Sequence, residues 1–555
     1  MHLSRRQLVQ SLAATAAVAP LARAAHSAPT PARFMPALAV IRAHGEAHRR
    51  AFNLQALSIS VSAPDLPSAV IPLGDMDPER RVALQPDTLV QPGSISKQMT
   101  ALLAHQLVAA GKFALDGDAR AYLPGIPWPA TPFSLQQLID HTSGLPGSAP
   151  PFPAGGLWLG FKPGSHWSYC NLGYRLLGKM IERAGGASLA RQMHDRLFAP
   201  LGMASSKGAI LTADRPRFAV GYEPLRLDRP YVPGDPIARA PWVEMLDGSG
   251  SVSSTAPDMA RYIAALRGAL AGKGLPGLTP AQAHVFVTHN VASDEDKLRY
   301  GNGLMHVTDD HGRAYLHHTG GMVSFSSSMH VGVDDGIGAF ASSTIQFSTG
   351  YRPRLLTMFA VQALRAASAG HALPAAPSLA PTTDKPEAFV GHYQGPTRSF
   401  EIRRDGAALA LIQPSGGGPL YPLGDNVFAN RDPAFAEWPI EFERKKGQVV
   451  AAHWGPDSFA LAGSGWTAGP TDPALAKMAG RYANDDPWDT PVRVVERGGK
   501  LFAITDDVGE LIKLADGIYA IGKAWNPDRV VFANPIDGRP QTLLMSGTPL
   551  PRRDL

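Results

Sequence analysis

A single cysteine, Cys170, among 555 residues excludes an intrachain disulfide in any compartment, so packing alone must hold the fold. Charge is sparse as well, with 18% Asp, Glu, Lys and Arg and a net +5. A nucleic-acid partner requires Lys and Arg gathered on one face. The longest basic run, Arg444-Lys445-Lys446, reads as a solvated turn, so nucleic acid is excluded as a partner. Past the N-terminus no membrane span is expected. Two catalytic signatures are missing too. There is no GxSxG, which argues against an α/β-hydrolase. In His44-Gly45-Glu46-Ala47-His48 the Glu falls one place too late for the zinc-peptidase pattern HExxH, and the segment reads as an exposed helix face. No metal and no cofactor are expected.

What is present begins with an export segment. Arg5-Arg6, the apolar stretch Leu8 to Leu21 and Ala22-Arg23-Ala24 supply the charged, apolar and small-residue parts of a secretory signal over residues 1–24. Ser4-Arg5-Arg6-Gln7-Leu8 also resembles a twin-arginine signal. The expectation is a periplasmic or secreted protein. Loss of the three arginines in that segment lowers the net charge from +5 to +2.

A chain of this length, 44% hydrophobic, suits about three or four domains. Stretches rich in Pro, Ala, Gly, Ser and Thr without apolar periodicity, at 366–386 and 463–473, read as linkers. The part from 28 to 365 mixes helical stretches (Met99 to Ala110, Tyr174 to Ala184) with β-rich ones (Ser324 to Val333, Ile337 to Ile345). It reads as one α+β catalytic unit. The parts at 387–465 and 474–555 look alike. Gly391-His392-Tyr393 matches Gly480-Arg481-Tyr482, Leu420-Tyr421-Pro422-Leu423 matches Leu511-Ile512-Lys513-Leu514, and Val427-Phe428 matches Ile518-Tyr519, at offsets of 89 to 91 residues. This predicts a tandem duplication of a small antiparallel β-barrel, closed so that no strand edge is exposed.

Three segments of the first part carry candidate chemistry. In Pro92-Gly93-Ser94-Ile95-Ser96-Lys97, a helix start puts Ser94 on its first turn and Lys97 three residues on, along the same face. That sets a nucleophile beside an amine, and the Ser94 N–H at the helix start can stabilise an oxyanion. The bland alternative is an N-cap serine with Lys97 in solvent. In Tyr169-Cys170-Asn171, a phenol and an amide share one side of a turn while Cys170 turns away as a small buried filler. A phenol near Lys97 would have its ionised form favoured and could take the Ser94 proton; a Tyr before a helix can equally be core. In His317-His318-Thr319-Gly320-Gly321, a small-residue edge strand can pair with a substrate backbone, His318 projects toward the substrate, and the Gly321 N–H is a second oxyanion donor. A glycine-rich turn with surface histidines is the alternative.

Taken in this order, the three segments resemble the serine β-lactamase and penicillin-binding protein family, closest to its branch of class C β-lactamases, DD-carboxypeptidases, D-aminopeptidases and esterases. The stretches Leu138-Ile139-Asp140-His141-Thr142-Ser143-Gly144, Pro200-Leu201-Gly202-Met203 and Ser254-Thr255-Ala256-Pro257-Asp258 look like that branch as well. The resemblance spans roughly Leu38 to Leu364. It implies a β-lactamase/transpeptidase-like fold, an antiparallel sheet flanked by helices, ahead of the two lipocalin-like barrels. It also implies an acyl-enzyme on Ser94, proton work shared by Lys97 and Tyr169, and an oxyanion hole of the Ser94 and Gly321 N–H groups. Asn171, His318, Thr319 and Gly320 would hold substrate.

Class C β-lactamases carry Lys where His318 stands, which moves the expectation away from β-lactams. A histidine that is partly charged near pH 6.5 would hold a substrate carboxylate less well as pH rises. One hydrolase domain followed by two barrels is similar to the D-aminopeptidase arrangement, in which a loop of a C-terminal barrel reaches the active site. The expected substrate is a small peptide or ester, with D-amino-acid peptides ahead of cell-wall D-Ala-D-Ala. An esterase, a weak β-lactamase and a non-catalytic penicillin- or wall-binding protein are the alternatives.

Overall fold

The computed structural model describes residues 30–295, 297–505 and 508–553. The expected export signal at 1–24 lies outside the described residues. Among those residues, no helix is long and apolar enough to cross a membrane.

The first part is built on a nine-stranded antiparallel sheet. Its strands are β1 (Ala56–Ala63), β2 (Leu66–Asp77), β3 (Val82–Ala83), β4 (Val291–Ala292), β5 (Arg299–Gly301), β6 (Leu304–Thr308), β7 (Ala314–Gly321), β8 (Ser326–Gly332) and β9 (Gly338–Ser343), in the order β3-β2-β1-β9-β8-β7-β6-β5-β4. The central strands β1, β8 and β9 are buried at every position, as strands covered on both faces must be. One face is covered by α1 (Met35–Ala51) and α5 (Arg354–Ala369), whose Ile41, Leu356 and Phe359 pack on Leu57, Ile59 and Tyr315. The other face carries α2 (Ser96–Ala109), α3 (Asn171–Gly185) and α4 (Ala256–Leu270), with a core that includes Met99, Leu103, Leu177, Ile263, Leu316 and Met329. Helix α5 runs through Ala369, four residues into the stretch that composition reads as linker. Alanines suit a helix as well as a linker, and here an apolar stripe ending at Ala367 decides.

The HGEAH segment lies on α1, but not on its exposed face. His44 and His48 are buried, their Nε2 atoms 3.2 Å apart, with His48 bonded to the Tyr351 hydroxyl. The i, i+4 spacing that would suit a metal also suits a core stripe, and α5 covers it.

Apart from a two-stranded ribbon, Tyr222–Pro224 paired with Ile237–Arg239, the remaining strands form two closed eight-stranded antiparallel barrels, one from Gly391–Gln394 to Asp457–Leu461 and one from Gly480–Tyr482 to Thr548–Arg553. The duplication extends to single hydrogen bonds. Tyr393 donates to the carbonyl of Phe389 (2.7 Å), and its counterpart Tyr482 donates to that of Met478 (2.8 Å). Both barrels enclose aromatic and aliphatic side chains, among them Phe400, Leu411 and Phe442 in the first and Val494, Leu511 and Leu543 in the second.

Candidate active site

Ser94 lies in a short 3-10 turn, Gly93–Ile95, that leads directly into α2. Two glycines bring this turn against β7. Gly93 has a positive φ of 59°, and a Cβ there would stand 2.9 Å from the Gly321 nitrogen. A Cβ on Gly320 would fall 1.7 Å from the Pro92 carbonyl oxygen and 3.3 Å from the Ser94 nitrogen. Only the absence of both side chains lets the Ser94 and Gly321 amides come together.

Lys97 is fully buried and makes three hydrogen bonds, to Ser94 Oγ (3.0 Å), Asn171 Oδ1 (2.8 Å) and the Ser249 carbonyl (2.7 Å). Burial pushes its ammonium down to about 7, against a partial pull upward from Asp247 and a further push from Arg175. Asn171 opens α3, whose N-cap is Cys170. The buried thiol accepts the Gly173 N–H (3.2 Å) and donates to the Pro146 carbonyl (3.2 Å), with burial raising it to about 12. Cys170 is thus an inert filler that also caps a helix.

The Tyr169 hydroxyl faces Ser94, and burial raises the phenol above its ordinary value. The expected lowering by Lys97 does not occur. The ammonium sits over the Tyr169 ring, 4.8 Å from its centroid, so the cation meets the π face while desolvation penalises a phenolate.

His318 also departs from expectation. It is only 1% exposed, enclosed with Tyr169, Tyr300 and His141, and burial pushes it down to about 3. It is a neutral residue under the site rather than a half-charged one lining it, so the expected loss of carboxylate binding near pH 6.5 has no titrating group behind it. Strand β7 is not an edge strand either, since it lies between β8 and β6. Its pairing with β6 stops at His317, however, and the edge beyond His318 has no strand partner among the described residues. Thr319 and Gly321 are half-buried on that stretch. The sequence reading missed Ser249, His141 and Tyr300. The Tyr300-Gly301-Asn302-Gly303 run was the one local signal for the last of these, because Asn302 and Gly303 both take positive φ (52° and 78°) in a tight turn under α2.

A loop of the second barrel closes on the segment that carries Tyr169. Trp525 stacks on His166 (4.3 Å between centroids, 5° between planes), and the Pro527 carbonyl accepts the Trp158 indole N–H (2.8 Å). Asp528 accepts the backbone N–H of Gly147 (3.0 Å). His166 in turn bonds Asp294, which also takes the Trp167 N–H. A separate cavity of about 610 Å³, lined by Arg215, Phe218, Arg239, Trp242 and Ser324 among others, contains neither Ser94 nor Lys97 nor Tyr169.

Residues 36–359 match the family model described as Beta-lactamase. The chain belongs to the β-lactamase family. Among curated relatives of this family member, penicillin-binding protein 4 of Amycolatopsis lactamdurans is 32% identical over 202 residues, 33% of this chain and 51% of the relative. D-aminopeptidase of Brucella ovis is 34% identical over 173 residues, 27% of this chain and 32% of the relative. The chain thus spans about half or less of the length of the curated relatives it matches. A solved octameric penicillin-binding protein homologue from Pyrococcus abyssi shares the fold, with a TM-score of 0.54 and 21% identity over 76% of this chain and 99% of that one.

Proposed function

We propose that this chain is an exported serine hydrolase that forms an acyl-enzyme on Ser94 and acts on short peptides containing D-amino acids. The observation that carries the reading is the single hydrogen-bonded set of Ser94, Lys97 and Asn171, with the Tyr169 hydroxyl facing the same serine. Lys97 near neutrality is the base: its lone pair takes the Ser94 proton as Oγ bonds to the substrate carbonyl carbon. The carbonyl oxygen, now an anion, takes hydrogen bonds from the Ser94 and Gly321 amides. The C–N or C–O bond then breaks, and the leaving group receives the proton that Lys97 took from Ser94, which returns Lys97 to its neutral form. Water repeats the sequence on the acyl-enzyme and releases Ser94. Asn171 spends its Oδ1 on Lys97, which leaves its Nδ2 for a substrate carbonyl. The open edge of β7 past His318 can pair with the substrate backbone.

The substrate class rests on two supports. The D-aminopeptidase of Brucella ovis is a relative by name, and the second-barrel loop narrows the site around Tyr169 as a cap on a short substrate would. Fluorophosphonate labelling of the wild type and of Ser94→Ala tests the nucleophile, and equal labelling of both would remove it. A panel of D-alanyl anilide, a D-Ala-D-Ala peptide, a short-chain nitrophenyl ester and a chromogenic cephalosporin tests the substrate. The anilide is expected to be cleaved fastest, and a cephalosporin ahead of it would return the assignment to β-lactams.

A further inference from the structure

A buried chain of hydrogen bonds runs from the Tyr169–Asn171 turn to β7, and each link fixes the direction of the next. The Cys170 N–H donates to His141 Nδ1 (3.1 Å), so the proton of neutral His141 is on Nε2, 3.1 Å from the Tyr300 hydroxyl. Tyr300 Oη therefore accepts from His141, and its single proton is available to His318 Nε2 at 3.3 Å. On the other side of the ring, His318 Nδ1 stands 2.5 Å from the Thr319 carbonyl, an acceptor only, so Nδ1 carries the hydrogen. His141, Tyr300 and His318 are at most 1% exposed.

We infer that Tyr300, oriented by His141, is a positioning residue that holds His318 as the neutral Nδ1–H tautomer, and that the site thereby selects substrates without a carboxylate next to the scissile bond. This rests on the hydrolase reading and sharpens its substrate class toward amides, esters and N-terminal residues rather than C-terminal D-Ala. A proton on Nε2 would face the Tyr300 hydroxyl, already approached by the His141 N–H. Tyr300 would then have to turn its own proton away from His318, and the 3.3 Å contact would bring two N–H groups to one phenol oxygen. The other groups around the ring oppose a charge as well. Lys97 raises the local potential, Tyr169 lies 6.2 Å away ring to ring, and His317 behind β7 is itself neutral and bonded to the Met329 carbonyl. Asp140, the carboxylate that acts on Tyr300, is committed to His289 at 2.7 Å. A substrate carboxylate set against His318 would meet a neutral ring instead of a cation there, and would lose its water.

Long-range proton–nitrogen NMR on the full chain labelled with ¹⁵N-histidine reads the tautomer directly. A neutral Nδ1–H signal for His318, unchanged from about pH 5 to 8, is expected; a titration of His318 between about pH 6 and 7 overturns the inference. Turnover gives a second readout. With D-Ala-D-Ala amide and D-Ala-D-Ala as a matched pair, kcat/KM is expected to favour the amide by roughly tenfold at all pH values between about 5.5 and 8. In Tyr300→Phe the ratio should shrink below about pH 6.5, and in His318→Lys it should invert through KM. Equal use of both substrates by the wild type, or a ratio untouched in both variants, refutes the selection. Fluorophosphonate labelling of Ser94 in each protein separates the two layers: an unlabelled wild type ends the hydrolase reading, whereas the tautomer stands or falls by NMR alone.

Discussion

If Lys97 is the base that activates Ser94, acylation must follow its titration. Burial without a carboxylate in direct contact brings the ammonium to about 7. The neutral fraction is then about one-tenth at pH 6, one-half at pH 7 and nine-tenths at pH 8, so kcat/KM should rise roughly tenfold over that range. The perturbation that tests the cause is Asp247→Asn. Asp247 raises the Lys97 value from a distance, and its carboxylate ion-pairs with Arg175 at 3.4 Å. Removing that charge leaves Arg175 unopposed, and both changes disfavour the ammonium, so the midpoint should move to lower pH. Each unit of movement corresponds to about 1.4 kcal/mol. The assay is the second-order rate of Ser94 phosphonylation across pH 5 to 10, with the burst of a nitrophenyl ester as a check. A Tyr169 phenolate as base would give a profile rising only above about pH 10, since burial raises that phenol beyond its ordinary value. A rate flat between pH 6 and 8, or an unmoved midpoint in Asp247→Asn, would refute the reasoning.

Gly320→Ala puts a methyl group into the Pro92 carbonyl and against the Ser94 amide; acylation should fall by roughly a hundredfold or more, the scale of a displacement of about 1 Å at a reacting group. Asp528→Ala removes the acceptor of the Gly147 N–H. It should cost about 1–3 kcal/mol in a denaturant titration of the full chain and raise KM more than it lowers kcat; an unchanged midpoint and KM would show that the barrel loop does not brace the site. Acid should unfold the protein early. His48, His317 and His318 are pushed down to about 3 in the folded state, while in the unfolded chain they take protons near 6.5. Their stabilising contribution is complete above about pH 6.5 and is lost as pH falls toward 3, by up to tenfold in the folding constant per histidine and pH unit. Circular dichroism against pH reads this, and constant stability from pH 7 to 4 would contradict it.

The sequence alone determined the local order of things. Regular spacing predicted the helices around Met99 and Tyr174 and the strands around Ser326 and Gly338, because a periodic apolar face is written in neighbouring residues. The barrel repeat was legible for the same reason, as paired landmarks such as Tyr393 and Tyr482. Ser94 and Lys97 needed only a helical turn to meet, and Cys170 only its neighbours to turn inward. The nature of the charges was not legible. Whether a lysine is a cation or a base, whether a histidine titrates near 6.5 or near 3, and whether a phenol ionises all depend on desolvation, which is set by everything packed around the group. Only the tertiary structure brought α3 and Ser249 onto Lys97, and β5 and the His141 turn onto His318. It also decided that the HGEAH face is core, since Phe359 of α5 arrives to cover it from far along the chain. Short-range pattern fixed which residues stand beside one another on an element, and long-range packing, by removing water, decided what those residues are chemically.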